Sequence, residues 1–196
     1  FDGTNYLVAW YDDRAFTSSI MVARVSASGE LIDRTGVPVA NVSRQPRFDR
    51  DDPLRSIGVV AGTGGYLVAW RDNYIAPGQA STAGVRVRSS GELVDRTPLS
   101  LGSLLDDGLQ AMPIVSLGNS FMMLSQKVTQ REALRIDLVA IEGIASTKAP
   151  VVNVLPSTAE GSINRFRLGA VGSDALIVYE LYTSGDAGNF DEATMA

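Results

Sequence analysis

The sequence predicts an all-β chain made of repeated antiparallel meanders, and three observations predict it. First, Tyr6-Leu7-Val8-Ala9-Trp10 returns letter for letter as Tyr66-Leu67-Val68-Ala69-Trp70, and Ser28-Gly29-Glu30-Leu31 returns as Ser90-Gly91-Glu92-Leu93. Second, the runs between these words are short, rich in β-branched and aromatic residues, and bounded by Gly, Ser, Asn and Pro, which is the pattern of strands and turns. Third, no segment sustains a 3.6-residue apolar period with caps at its ends, so long helices are not expected.

Each repeat unit reads as four extended runs, most clearly in the second unit. Residues 57–61 form an apolar run, 62–65 a glycine-bounded turn, 66–70 a second run and 85–88 a third. Ser90-Gly91 supplies the positive φ of a tight hairpin, and Leu93 with residues 98–101 completes the unit. The first unit starts one strand late, with runs at 6–10, 20–25 and 37–40 around the Ser28-Gly29 turn. In the third unit the runs fall at 113–117, 121–124, 134–141 and 151–154, with turns at Gly118-Asn119 and Glu142-Gly143. A fourth unit begins at 166–171, turns at Gly172-Ser173 and continues through 175–179. Matching second strands start at Tyr6, Tyr66, Phe121 and Ala175, so the unit recurs every 60, 55 and 54 residues.

The repeated word is apolar on both faces, because Tyr66, Val68 and Trp70 alternate with Leu67 and Ala69. Such a strand must be covered on both sides, as when sheets stack face to face. The third strands differ: Val85 and Val87 alternate with Arg86 and Arg88, and Arg24 occupies the place of Arg86 in the first unit. This half-polar pattern predicts a position nearer the rim. Asp33-Arg34-Thr35 and Asp95-Arg96-Thr97 recur just after the Ser-Gly turns and read as an ion pair to a neighbouring unit or a solvated pair. Trp10 and Trp70 are expected in the core between units.

Composition narrows the function classes. The chain has 196 residues, 45% of them hydrophobic, and a net charge of -5, which fits a globular core and argues against nucleic acid or an anionic membrane surface as partner. Cysteine and histidine are both absent, which removes thiol nucleophiles, disulfides, the usual zinc sites and any Ser-His-Asp relay within the chain. No apolar run approaches the roughly 20 residues of a membrane-crossing helix. The start at Phe1-Asp2-Gly3, directly before a strand, reads as a piece of something longer.

The units resemble β-propeller blades of bacterial secreted and cell-surface proteins. The resemblance rests on residues 6–10 with Asp12, Asp13 and Arg14, on Ala23-Arg24-Val25, on residues 26–33, and on residues 66–70 with Asp72 and residues 89–95. It implies a propeller of four-stranded antiparallel blades, with a partial blade at 1–43, blades at 54–102 and 111–155, and a partial blade at 163–196. A β-sandwich is the alternative. The segments around Ser28 and Ser90 sit where sialidase-like propellers carry the Asp-box, a structural turn, but the box Asp is Ser in both and the closing Trp is missing. The resemblance also implies secretion or surface display, and other blades or chains to complete the partial blades.

In such an array the connections from second to third strand, and from fourth strand to the next unit, emerge at one end, where ligands bind. That end is expected to gather Asp12, Asp13, Arg14 and Phe16, then Arg71, Asp72, Asn73 and Tyr74, then Gln126 and Lys127. The connector through Arg47, Asp49, Arg50, Asp51 and Asp52 joins them. Its carboxylates, and Asp106-Asp107, are candidate oxygen ligands for Ca²⁺, although neither has EF-hand spacing; otherwise no cofactor is expected. The reading is a non-catalytic module recognising carbohydrate or protein through Asp12, Asp13, Arg14, Arg47, Asp49, Asp51, Asp52, Arg71 and Asp72. The alternatives are a polysaccharide hydrolase or lyase using paired carboxylates, and a structural piece of a surface or filament assembly.

Overall fold

A computed structural model describes residues 1–14, 18–42, 56–76, 79–105, 112–128, 134–145, 151–154, 162–172 and 174–182. They form thirteen strands and, among the described residues, no helix. The all-β antiparallel class is the one the sequence predicts.

The strands group into four meanders in chain order. The first sheet holds β1 (Asn5–Asp12), β2 (Ser18–Ser26) and β3 (Val37–Val42). The second holds β4 (Ile57–Gly62), β5 (Gly65–Ala76), β6 (Gln79–Arg88) and β7 (Leu99–Leu105). The third holds β8 (Ile114–Leu117), β9 (Ser120–Val128), β10 (Leu134–Glu142) and β11 (Val151–Val154), and the fourth pairs β12 (Ser162–Val171) with β13 (Asp174–Tyr182). Every pairing is antiparallel between neighbours in sequence. No sheet closes on itself among the described residues.

The repeat is visible in the register. Tyr6 faces Val25 on β2, Tyr66 faces Val87 on β6, and Phe121 faces Ile141 on β10. Gly29 and Gly91 take φ of 86° and 89° in the Ser-Gly turns, a region that a Cβ disfavours. Their amides donate to the carbonyls of Ser26 and Arg88, closing the same turn twice.

Two apolar layers join the sheets. Tyr66, Val68 and Trp70, with Ala83, Val85 and Val87, meet Leu7, Ala9 and Tyr11 of β1 and Ile20 and Val22 of β2. Leu67, Ala69 and Leu101 meet Phe121, Met123, Leu124, Val139 and Ile141 of the third sheet, with Leu168 and Ile177 of the fourth packed alongside. The second copy of the repeated word is thus buried on both faces, all five residues being at most 1% exposed. Such burial contributes about 25 cal/mol per Å² of apolar surface.

Two details differ from the sequence reading. Arg86, on a third strand expected nearer the rim, is 2% exposed, its charge matched by Asp95 of the same unit. Trp10, expected in the core, is only partly covered: it rests on Gly36 and pairs with Met21 across the sheet. Among the described residues no further sheet lies against its face of β1.

Candidate functional site

Strand polarity fixes where the candidate residues lie. β1 ends at Asp12, β2 begins at Ser18 opposite Val42, and β5 passes through Arg71 and Asp72 opposite β4's beginning at Ile57. The connections between second and third strands, and those leading to the next sheet, therefore share one end. Tyr11 ties the first two sheets together there: its hydroxyl donates to the Arg71 carbonyl at 3.1 Å and approaches the Ser56 carbonyl at 3.4 Å.

Asp12 and Arg14 form one local unit. Both Asp12 oxygens accept from Arg14 Nε, at 2.8 and 3.1 Å, and Oδ2 accepts from Nη2 at 2.5 Å. Oδ1 also takes the Arg14 backbone amide at 3.1 Å, an Asx-type turn that fixes the loop start. The Arg14 side chain is 81% exposed, so a guanidinium is held in a defined place at the surface. Those hydrogen bonds hold the Asp12 carboxyl down at about 2. Asp13 turns instead toward Ser18, whose hydroxyl donates to its Oδ1 at 2.5 Å.

Arg71 and Asp72 are the equivalents of Tyr11 and Asp12 one repeat later. Arg71 is buried, at 4% exposure, on the face shared with Leu67 and Ala69; its amide donates to the Ser56 carbonyl at 3.0 Å. Asp72 is half-buried, and burial pushes its carboxyl above the usual range. Ser103 and Ser125 bridge the second and third sheets nearby: Ser125 Oγ donates to the Ser103 carbonyl and accepts its amide, both at 3.0 Å.

The structure therefore brings together Asp12 with Arg14, and Tyr11 with the backbone of Arg71. Arg47, Asp49, Asp51 and Asp52 lie outside the described residues, as do Phe16, Asp106, Asp107 and the side chains of Asn73, Tyr74, Gln126 and Lys127. No group of three or more carboxylates suited to a metal ion occurs among the described residues.

The sequence reading passed over the opposite, turn end. There a cleft of about 430 Å³ opens between the second and third sheets, lined by Thr63, Gly64, Arg88, Asn119, Glu142 and Gly143. Its walls are hairpin turns, with Arg88 held by Glu92 at 3.2 Å. The only sequence signal for it is the recurrence of short turns at that end.

Comparison of the chain with protein-family models, with curated proteins and with solved structures gives no match.

Proposed function

We propose that the chain is a propeller-type segment acting outside the cell as a non-catalytic binding and scaffold module, with carbohydrate or protein recognised by the loop end. The observation that carries this reading is the placement of Asp12 and Asp72 at the same register position of successive sheets. Stacked sheets lie about 10 Å apart, whereas glycoside hydrolysis needs two carboxyls about 5 to 9.5 Å apart. Repeat-related carboxylates on successive sheets offer separate recognition points at the loop end. The stacking of more than two layers in chain order supports a radial array over a two-layer sandwich.

Arg14 is the residue best suited to contact a ligand. It is exposed, oriented by a bidentate carboxylate, and planar, which suits carboxylates and vicinal hydroxyls of a sugar or an acidic protein surface. A second reading, polysaccharide hydrolysis, draws on one observation: Asp12 is held low while Asp72 is raised, the separation an acid/base pair uses.

A glycan array and a polysaccharide-degradation screen distinguish the two. The binding reading expects retention of an acidic or hydroxyl-rich glycan or a protein, weakened about tenfold or more by Arg14→Ala, with no turnover. Turnover abolished by Asp72→Asn would replace it with the hydrolase reading.

A further inference from the structure

The cleft at the turn end, between the second and third sheets, is built from side chains that the loop-end reading leaves unused. Its volume of about 430 Å³ lies within the range of small-molecule sites. Thr63, Arg88, Asn119 and Glu142 give it polar groups, and Ile144 and Ala145 give it an apolar surface.

Two bridges between the sheets fix its walls. Thr63 Oγ1 donates to the Gly118 carbonyl at 3.1 Å, and Arg86 Nη1 donates to the Glu142 and Gly143 carbonyls at 3.1 and 2.9 Å. Ile144, 7% exposed, packs over Gly65, where a Cβ would lie 3.0 Å from its Cδ1. The walls are therefore in place before a ligand arrives, which lowers the cost of binding.

The repeat accounts for the room. At the junction of the first and second sheets the side chains of Asp2 and Ser89 hydrogen-bond to each other. Gly62 precedes Tyr66 by the same interval as Asp2 precedes Tyr6, and the register makes Gly143 the equivalent of Ser89. The second junction thus has no side chain at either place, and Gly143 lines its cleft.

The lining selects a ligand by charge. An anion meets the Glu142 carboxylate and a cation meets the Arg88 guanidinium, so a charged ligand leaves one of the two unmatched. A neutral molecule rich in hydroxyls satisfies both: Arg88 and Asn119 donate, while Glu142, Asn119 and the Thr63 oxygen accept. Arg88 is steadied by Glu92, 3.2 Å from its Nε, which leaves its two Nη groups as donors. Ile144 and Ala145 suit the C–H face of a ring. We propose that this cleft is a second binding site, taking a neutral sugar of one or two rings, independent of what the loop end binds.

Titration of the purified chain with glucose, galactose, N-acetylglucosamine and maltose, beside glucuronate and glucosamine as charged counterparts, tests it through amide shifts in NMR. A neutral sugar is expected to bind with a Kd between about 0.1 and 10 mM and to shift residues 63–64 and 142–145. Arg88→Ala is expected to weaken that binding about tenfold or more. Ala145→Phe adds bulk at an exposed position, removes no polar group and is expected to block the cleft; circular dichroism reads the fold of both variants. The proposal is overturned by the absence of shifts with every neutral sugar at about 50 mM, or by shifts centred on residues 11–14 instead of the cleft. Tighter binding of glucuronate or glucosamine than of every neutral sugar, or binding that survives in a folded variant, overturns it equally.

Discussion

Arg86 and Asp95, nine residues apart, hold each other in a buried fork: Asp95 Oδ1 accepts from Nη2 at 2.6 Å and Oδ2 from Nε at 3.0 Å. Oδ2 also accepts the Arg86 backbone amide at 2.8 Å, and Nη1 reaches across the junction to the Glu142 and Gly143 carbonyls at 3.1 and 2.9 Å. Arg24 repeats the arrangement one unit earlier, with Asp33 and the Ser89 carbonyl of the second sheet. The equivalent residue in the third sheet is Ala140, so the described fork joins first to second sheet and second to third.

Removing one member of the buried pair strands a charge, which costs about 3–5 kcal/mol. Asp95→Asn is expected to lose that much in urea unfolding. The Arg24 and Asp33 side chains are 18% and 16% exposed, and Asp33→Asn is expected to cost about 1–2 kcal/mol. The double variant Arg86→Met, Asp95→Leu should cost less than Asp95→Asn alone, because neither charge is left behind. Equal losses from Asp95→Asn and Asp33→Asn would show that the fork gains nothing from burial.

This fork also shows where sequence reading stops. The strands, the Ser-Gly turns and the two-sided burial of residues 66–70 were legible, because period and turn chemistry are local properties. The half-polar alternation of Val85-Arg86-Val87 pointed to a rim, but a guanidinium is buried when a carboxylate folds back across the hairpin and the next sheet offers carbonyls. The available signal was Arg-Val followed nine residues after the Arg by Asp, twice at the same place in the repeat. The loop-end position of Asp12 and Arg14 was legible, but their pairing with each other was not. The half-buried state of Asp72 was not, since it depends on which sheet lies next to it.

The duplicated word should give different stabilities at its two sites. Val68→Ala opens a cavity in a closed layer and is expected to cost about 2 kcal/mol or more, whereas Val8→Ala on the exposed face should stay within about 0.5 kcal/mol. Urea midpoints of the two variants, at a dilution where the chain is monomeric, measure the difference.

Gly58 sets the approach of β4 to β8. A Cβ there would lie 2.7 Å from Met112 Cβ and 3.1 Å from Ile114 Cδ1, and a Cβ so close to the backbone cannot swing aside. Gly58→Val is therefore expected to cost about 1–3 kcal/mol or more by overpacking. Gly64→Ala meets nothing within 4 Å but sits at φ +80°, so only backbone strain of about 1–2 kcal/mol applies. Thermal unfolding with bulk varied at Gly58 and at Gly64 separates the causes: larger side chains should worsen only the first.

Stability should fall in acid through Asp2. Its Oδ1 accepts the amides of Thr4 and Asn5 at 2.9 and 2.8 Å. Burial pushes its carboxyl up, but hydrogen bonding from the Asn5 amide, the Ser89 side chain, the Thr4 amide and the Tyr66 side chain together outweighs it and brings it from 3.8 down to about 2. A folded value below the unfolded one means the contribution is complete above about pH 4 and is lost as pH falls through about 2. Asp2→Asn is expected to lower the urea midpoint at pH 7 and to flatten the acid decline. An unchanged acid decline in that variant would contradict the assignment.

One five-residue word stands once on a sheet with one exposed face and once between two sheets. Trp10 and Trp70 are the only tryptophans, so Trp10→Phe and Trp70→Phe chains each report one position. Acrylamide quenching of the dilute monomer measures it directly. The account predicts that Trp70, 1% exposed, emits to the blue and resists quenching, while Trp10 is quenched several-fold more readily; equal quenching at the two positions would contradict it.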